Sequence, residues 1–145
     1  FFMLSDYVVA VTLSESDLAQ SISDRWIESG ADLHMSAGYS CYCWLLGNRK
    51  DAEFEKDKIL KMLKRVASSI REAPANTQKA MSNFLYTVAI SYVPLHEEAL
   101  SIAEDIGKIE ITGEKKKKVI LDPYETIKKE IARGRVGFKR KYVRC

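Results

Sequence analysis

The chain has 145 residues and a formal net charge of +3, with 46% hydrophobic, 10% aromatic and 30% charged residues. That length suits one domain of about 100–200 residues, and this supply of apolar side chains excludes a disordered chain. No stretch approaches the roughly 20 consecutive apolar residues of a membrane-spanning helix, so we expect no membrane partner. The three cysteines lack the spacing of a disulfide framework, which favours a reducing, cytoplasmic location.

Charge is distributed unevenly along the chain. From residue 108 to the end there are 13 basic and 5 acidic residues, whereas the first 107 residues contain 10 basic and 15 acidic ones. A basic segment next to an acidic body predicts that a polyanion binds at one end of the molecule. A solvated charged surface is the alternative.

The first predicted helix follows a start signal at residues 14–17, where a hydroxyl side chain at the cap is followed by an acid. Leu18, Ile22 and Trp26 recur every four residues after it, which is typical of the apolar face of a helix. Gly30 is expected to end this helix. The pattern therefore predicts that Trp26 lies in the core.

Four further helices are predicted before residue 108. Asp32 is expected to cap the second helix, whose apolar stripe places Trp44 in the core. Tyr39 and Tyr42 lie off that stripe, so one of them is expected to reach a groove. The four helices are predicted at residues 32–48, 52–72, 75–92 and 94–107.

The pattern then changes from helix to strand. Residues 108–112 alternate between polar and apolar side chains, as a half-buried strand does, and residues 119–121 are expected to return as a second strand. A last helix is predicted from Pro123 to about residue 132. Residues 135–145 form a basic tail that we expect to be extended or mobile.

The predicted helices form pairs that start near residues 14 and 51, a period of roughly 40 residues that suits HEAT-like repeats. We therefore predict an all-α fold of stacked antiparallel helix pairs, a HEAT-like α–α superhelix, with a small β-hairpin near the C-terminus. The helical-repeat domain is assigned to residues 1–134 and the basic tail to residues 135–145. Because the first residue is Phe, we expect the domain to be truncated at its N-terminus.

Four stretches of the sequence resemble the DNA alkylation repair enzyme family, the AlkD-type HEAT-like-repeat proteins, and correspond to the C-terminal portion of a longer member. Well-studied members excise cationic alkylpurines from duplex DNA. The resemblance implies a DNA partner and N-glycosylase activity, and it implies no metal or organic cofactor. The stretches are residues 25–29 (RWIES), 78–85 (QKAMSNFL), 99–111 and 134–141.

The resemblance also implies a catalytic site. The family pattern places an aromatic residue four positions before a catalytic aspartate, and Phe2 and Asp6 have this spacing. Asp6 would then be the carboxylate that stabilises an oxocarbenium-like transition state. Two positions depart from the pattern: Ser36 stands where members carry a basic residue, and Asn83 where they carry a second tryptophan.

Two groups of basic residues are the candidate phosphate contacts, which would be independent of base sequence and sensitive to salt. The lysines of the hairpin have an alternative role, since lysines also keep an edge strand from pairing with another chain. The candidates are Lys115, Lys116, Lys117 and Lys118 in the hairpin, and Arg133, Arg135, Lys139, Arg140 and Lys141 near the C-terminus.

The function predicted from the sequence is that of a DNA-binding helical-repeat protein resembling the alkylation-repair glycosylases. Two alternatives stay open: a non-catalytic DNA-binding relative, and a scaffold for protein–protein interaction. His34 and His96 are isolated in the sequence, so no metal site is predicted.

Overall fold

The computed structural model describes residues 4–112 and 116–141, without the side chains of residues 5–7. Within these ranges the chain forms seven α-helices and one two-stranded antiparallel sheet. A π-helical segment (Leu4–Val9) and two 3₁₀ turns (Asp51–Glu53 and Val93–Leu95) complete the regular structure. The elements are α1 (Ala10–Ser14), α2 (Ala19–Ile27), α3 (Asp32–Asn48), α4 (Lys56–Ser69), α5 (Ala75–Ser91), α6 (His96–Ile106), β1 (Ile109–Thr112), β2 (Lys118–Leu121) and α7 (Pro123–Ala132).

The helices stack as pairs. Helix α2 packs on α3, α4 on α5 and α6 on α7. The second helices of the pairs, α3, α5 and α7, pack side by side as an inner layer, while α2, α4 and α6 form an outer layer. This arrangement confirms the predicted HEAT-like stack of helix pairs.

The core is centred on α3 and α5. Phe84 of α5 is fully buried and lies edge-to-face against Tyr39 and Tyr42 of α3, with ring centroids 5.6 and 6.3 Å away. Both tyrosine side chains are buried, but Tyr39 borders a cavity of about 180 Å³, whereas Tyr42 lines neither this cavity nor the larger one described below. Helix α3 lies between α2 and α5, so its burial extends beyond a single stripe.

The buried face of α2 differs from the predicted one by one position. Leu18 is 61% exposed, whereas Ala19, Ser23 and Ile27 face the core. The reason lies in the neighbouring helix, where Gly38 has no side chain and lets the backbone of α2 come close. Because α3 can come close at Gly38, α2 buries the face that carries its small residues and leaves the face with larger apolar side chains partly exposed.

Asp32 caps a helix other than the one predicted. Its carboxylate Oδ1 accepts hydrogen bonds from the Thr77 backbone N–H (2.9 Å) and hydroxyl (2.7 Å), and its Oδ2 accepts one from the Asn76 amide (3.0 Å). Both acceptors therefore serve the first turn of α5, where a negative charge is favourable. Because Asp32 also begins α3, the N-termini of α3 and α5 lie at the same end of the inner layer.

The outer layer is linked by charged side chains. Asp24 of α2 pairs with Lys58 of α4 at 2.7 Å, and Glu28, directly after α2, pairs with Arg65 of α4. The buried Tyr42 hydroxyl donates a hydrogen bond to Asp24. Burial, reinforced by this neighbouring carboxylate, raises the pKa of Tyr42 well above its usual value.

The hairpin and the last helix are placed as predicted. Strands β1 and β2 pair antiparallel from Ile109–Leu121 to Thr112–Lys118, and β1 alternates between buried and exposed residues. Helix α7 then begins with Pro123 in its first turn, and the Asp122 side chain accepts a hydrogen bond from the Glu125 N–H at 3.1 Å.

Candidate nucleic-acid interface

The described part of the basic tail, residues 135–141, is bound to the ends of two inner helices. The Gly137 N–H donates to the Ile90 carbonyl of α5, and the Arg140 N–H donates to the Gly47 carbonyl of α3, both at 2.6 Å. The Asn48 amide returns a hydrogen bond to the Arg140 carbonyl at 2.9 Å. The last carbonyls of a helix have no partner within the helix, so the tail supplies these missing donors. The tail, which turns at residues 136–137, is thereby held against the helical body.

Lys139 anchors the tail. Its ammonium donates to the Leu46 carbonyl near the end of α3 (2.5 Å) and pairs with Asp51 (2.8 Å). A cation at a helix C-terminus is also favourable to the helix dipole. The side chain is only 26% exposed, so its charge serves the attachment of the tail before any external partner.

A cavity of about 520 Å³ opens on the inner layer beside this tail. We call it the groove. Its volume falls within the range of roughly 300–1,000 Å³ that is usual for ligand sites. It is lined by Ser40, Cys43, Trp44 and Gly47 of α3, by Lys79, Asn83, Tyr86, Thr87, Ile90 and Ser91 of α5, and by Leu121, Glu130, Arg135, Phe138 and Arg140.

Aromatic rings and guanidinium groups meet in the groove. The Arg140 guanidinium lies 4.6 Å from the Trp44 ring centroid, and that of Arg135 lies 6.0 Å from the Phe138 centroid. Both distances are within the range of cation–π attraction. The prediction that Trp44 is a core residue is corrected by this geometry, because the ring is half-buried and forms part of the groove wall. Trp26 is likewise half-buried, with its ring 6.2 Å from that of His34.

One carboxylate lies among the cations of the groove. Glu130 of α7 pairs through Oε1 with Arg133 (3.0 Å) and through Oε2 with Arg135 (3.4 Å), and its side chain is 10% exposed. Burial raises the pKa of the Tyr86 hydroxyl, and the nearby negative charge of Glu130 adds to that rise. Lys79, Arg135 and Arg140 outnumber this single carboxylate, so the groove is basic.

The lysine cluster of the hairpin lies beyond the edge of the groove. Lys116, Lys117 and Lys118 are exposed, and Lys118 pairs with Glu110 of the adjacent strand at 3.0 Å. Leu121, three residues further along β2, lines the groove. Three residues of strand span about 10 Å, so Lys118 lies about that distance from Leu121. Lys115 lies outside the described residues. None of the described hairpin lysines is among the residues that line the groove.

The remaining predicted cations lie near the tail. Arg133 is exposed directly after α7 and pairs with Glu130, and Lys141 is exposed at the end of the described chain. The structure therefore brings Arg135 and Arg140 into the groove, places Arg133 one contact away, and turns Lys139 inward.

The two residues predicted for catalysis, Phe2 and Asp6, are not among the side chains that the structure places in or near the groove. Phe2 lies outside the described residues, and Asp6 falls within the π-helical segment as a residue whose side chain is not described. Asn83, at the position of the family's second tryptophan, lines the groove. Ser36, at the position of the family's basic residue, is fully buried in α3.

Sequence reasoning missed the side of α5 that faces the groove. Lys79, Asn83, Tyr86 and Ile90 follow one another at intervals of three or four residues, so they share one face of the helix. That spacing is a detectable signal, but the apolar stripe on the opposite face of α5 dominates the pattern. Glu130 lies three residues after Ile127 and shares its buried face of α7, so helical spacing indicates its position, but a charged side chain is not expected on a buried face.

The described part of the chain contains neither a metal-binding cluster nor a membrane-spanning helix. Among those residues, no group of three or more His, Cys, Asp or Glu side chains is placed to hold a metal ion. None of the helices within residues 4–112 and 116–141 has the length and apolar character needed to cross a membrane.

The fold and the groove define a HEAT-like helical-repeat protein with a basic, aromatic site on its inner layer. Over its whole length the chain is similar to a solved structure described as a new family of proteins related to the HEAT-like repeat DNA glycosylases with affinity for branched DNA structures. The two share 61% identity with a TM-score of 0.96, and the match covers 62% of that chain.

Curated relatives carry no functional description. The chain is 30% identical over 129 residues to the uncharacterized protein Lin0241 of Listeria innocua, a match to 89% of this chain and 54% of the relative. It is 29% identical over 103 residues to the uncharacterized protein Lmo0209 of Listeria monocytogenes, a match that covers 71% of this chain and 43% of the relative. The chain thus spans about half the length of these relatives. No protein-family model matches it.

Proposed function

We propose that this chain binds DNA through the groove on its inner layer, with a preference for branched structures over a linear duplex. The observation that carries the proposal is the placement of Arg135 and Arg140 beside Lys79 on a wall that contains Trp44. Guanidinium and ammonium groups neutralise phosphates, and aromatic faces accept unstacked bases. The similarity to the solved protein with affinity for branched DNA supports the same partner.

Salt dependence tests the electrostatic part of this proposal. The groove, the tail and the hairpin present roughly five or more cations, which would give a log–log slope of affinity against salt of about −4 to −5. Fluorescence anisotropy with a labelled three-way junction and a linear duplex of equal length measures both slope and preference. An affinity that does not change with salt, or that is equal for the two DNAs, would contradict the proposal.

Arg140→Ala tests the location of the site. This substitution removes the cation that stacks on Trp44, so the salt slope should become shallower by about 0.9. Lys61→Ala is the matched control, because Lys61 is an exposed residue of α4 in the outer layer. If both substitutions weaken binding equally, the bound DNA does not lie along the groove.

A more specific hypothesis is that the protein also excises alkylated purines from DNA. In it, Asp6 is the catalytic carboxylate and Phe2 the adjacent aromatic residue. The groove argues for a non-catalytic binding protein, since Asn83 lies in it and Ser36 is buried where members carry a tryptophan and a basic residue. We expect no release of methylated purines from alkylated DNA. Release by the wild type that is abolished by Asp6→Asn would establish catalysis and contradict this expectation.

A further inference from the structure

The carboxylate of Glu130 is incompletely partnered. Its Oε2 atom is buried and makes no well-aligned hydrogen bond within the described residues, although Arg135 forms an ion pair with it at 3.4 Å and the Tyr86 hydroxyl interacts with the carboxylate. A buried acceptor without an aligned donor is rare and costs free energy. Arg133 already occupies the other oxygen at 3.0 Å. Oε2 therefore has the longer of the two ion pairs, and Glu130 is one of the residues that line the groove.

The surroundings of Oε2 suit a flat, polar ligand attached to a phosphate. Tyr86 and Trp44 supply rings on the same cavity wall, and Arg140 supplies a cation at its edge. Nucleic-acid bases that leave the helical stack are held by aromatic faces and by hydrogen bonds to their Watson–Crick edges. A nucleotide has a base for the rings and a phosphate for the guanidinium groups.

We infer that the groove receives one unpaired nucleotide of a branched DNA, whose base donates an exocyclic amino hydrogen to Oε2 of Glu130. This inference rests on the proposed function, since branch points are where such nucleotides occur. Arg135 is the residue that gives way: its side chain is 55% exposed, and a backbone phosphate offers it a charged partner to replace Glu130.

The inference predicts which bases are accepted. Adenine, cytosine and guanine each carry an exocyclic amino group that can donate to a carboxylate. Thymine has no exocyclic amino group, and its one ring donor, N3–H, lies between two carbonyl oxygens that repel the carboxylate oxygens. An unpaired thymine should therefore bind more weakly than the other three bases, although its phosphate contacts are identical.

The experiment uses four three-way junctions that differ only in the single unpaired nucleotide at the branch point. We expect the wild type to bind the junctions with unpaired adenine, cytosine or guanine about tenfold more tightly than the junction with thymine. Glu130→Gln should reduce this ratio to about twofold or less, because an amide both donates and accepts hydrogen bonds. Glu125→Gln is the matched control: it removes the same charge from an exposed position of the same helix and should keep the ratio.

The outcomes separate the two proposals. If the wild type binds all four junctions equally tightly, and more tightly than linear duplex, the inference about Glu130 is wrong while the proposed function stands. If it does not bind the junctions, the proposed function fails. A Glu130→Gln variant that changes affinity by the same factor for all four bases would show that the carboxylate only positions the arginines. The base series with the wild type requires no variant to fold.

Discussion

Gly38 controls how closely the first helix pair can approach. A Cβ atom at this position would lie 2.8 Å from Cγ1 of Ile27 and 2.9 Å from the Ser23 carbonyl oxygen, both on α2. The side-chain atom can move aside, but the carbonyl belongs to the backbone of the neighbouring helix. Gly38→Ala should therefore push α2 away from α3.

The expected loss of stability follows from two opposing effects. Replacing glycine by alanine inside a helix stabilises it by about 1 kcal/mol. Forcing a methyl group into a packed contact costs about 1–3 kcal/mol, and a clash with backbone places this case near the upper value. The net decrease in the free energy of unfolding is about 2 kcal/mol, which corresponds to a fall in Tm of about 6 °C for a chain of this length.

Thermal and urea unfolding followed by circular dichroism measure this loss. Gly47→Ala is the control on the same helix, since a Cβ there meets nothing within 4 Å. Its stability should be unchanged or higher by up to about 1 kcal/mol. A Gly38→Ala variant as stable as the wild type would refute the claim that close helix approach selects the buried face of α2.

Two further measurements test the core. Ile27→Ala should lower the free energy of unfolding by about 2–5 kcal/mol, because Ile27 is 5% exposed. Leu18→Ala should lower it by less than about 0.5 kcal/mol, because Leu18 is 61% exposed. Equal losses in urea unfolding would contradict the observed buried face of α2. Stability should also fall as pH rises above about 10, because the raised pKa of Tyr42 keeps its proton in the folded chain after the unfolded chain has released it. Tyr42→Phe should flatten this alkaline decline, and a decline of unchanged slope would contradict the assignment.

The basic residues near the C-terminus illustrate how far the sequence reaches into the site. Composition identifies them as candidates, yet it treats Lys139 and Arg140 alike. The structure separates them, since Lys139 donates to Leu46 and pairs with Asp51, while Arg140 stacks on Trp44. Which cation faces outward depends on the path of the tail across the helix ends. The number and order of charges in the sequence do not determine that path.

Helices α4, α5 and α7, the hairpin and the HEAT-like pairing were predictable because each depends on local periodicity and on Pro and Gly signals near the element ends. The buried face of α2, the partner that Asp32 caps and the exposure of Trp44 were not, since each depends on the element that packs against the residue in question. Glu130 shows the limit most clearly. Helical spacing places it on the buried face of α7 with Ile127. Its ion pair with Arg135 depends on a segment that follows it in sequence and folds back beside it, and local periodicity does not predict that contact.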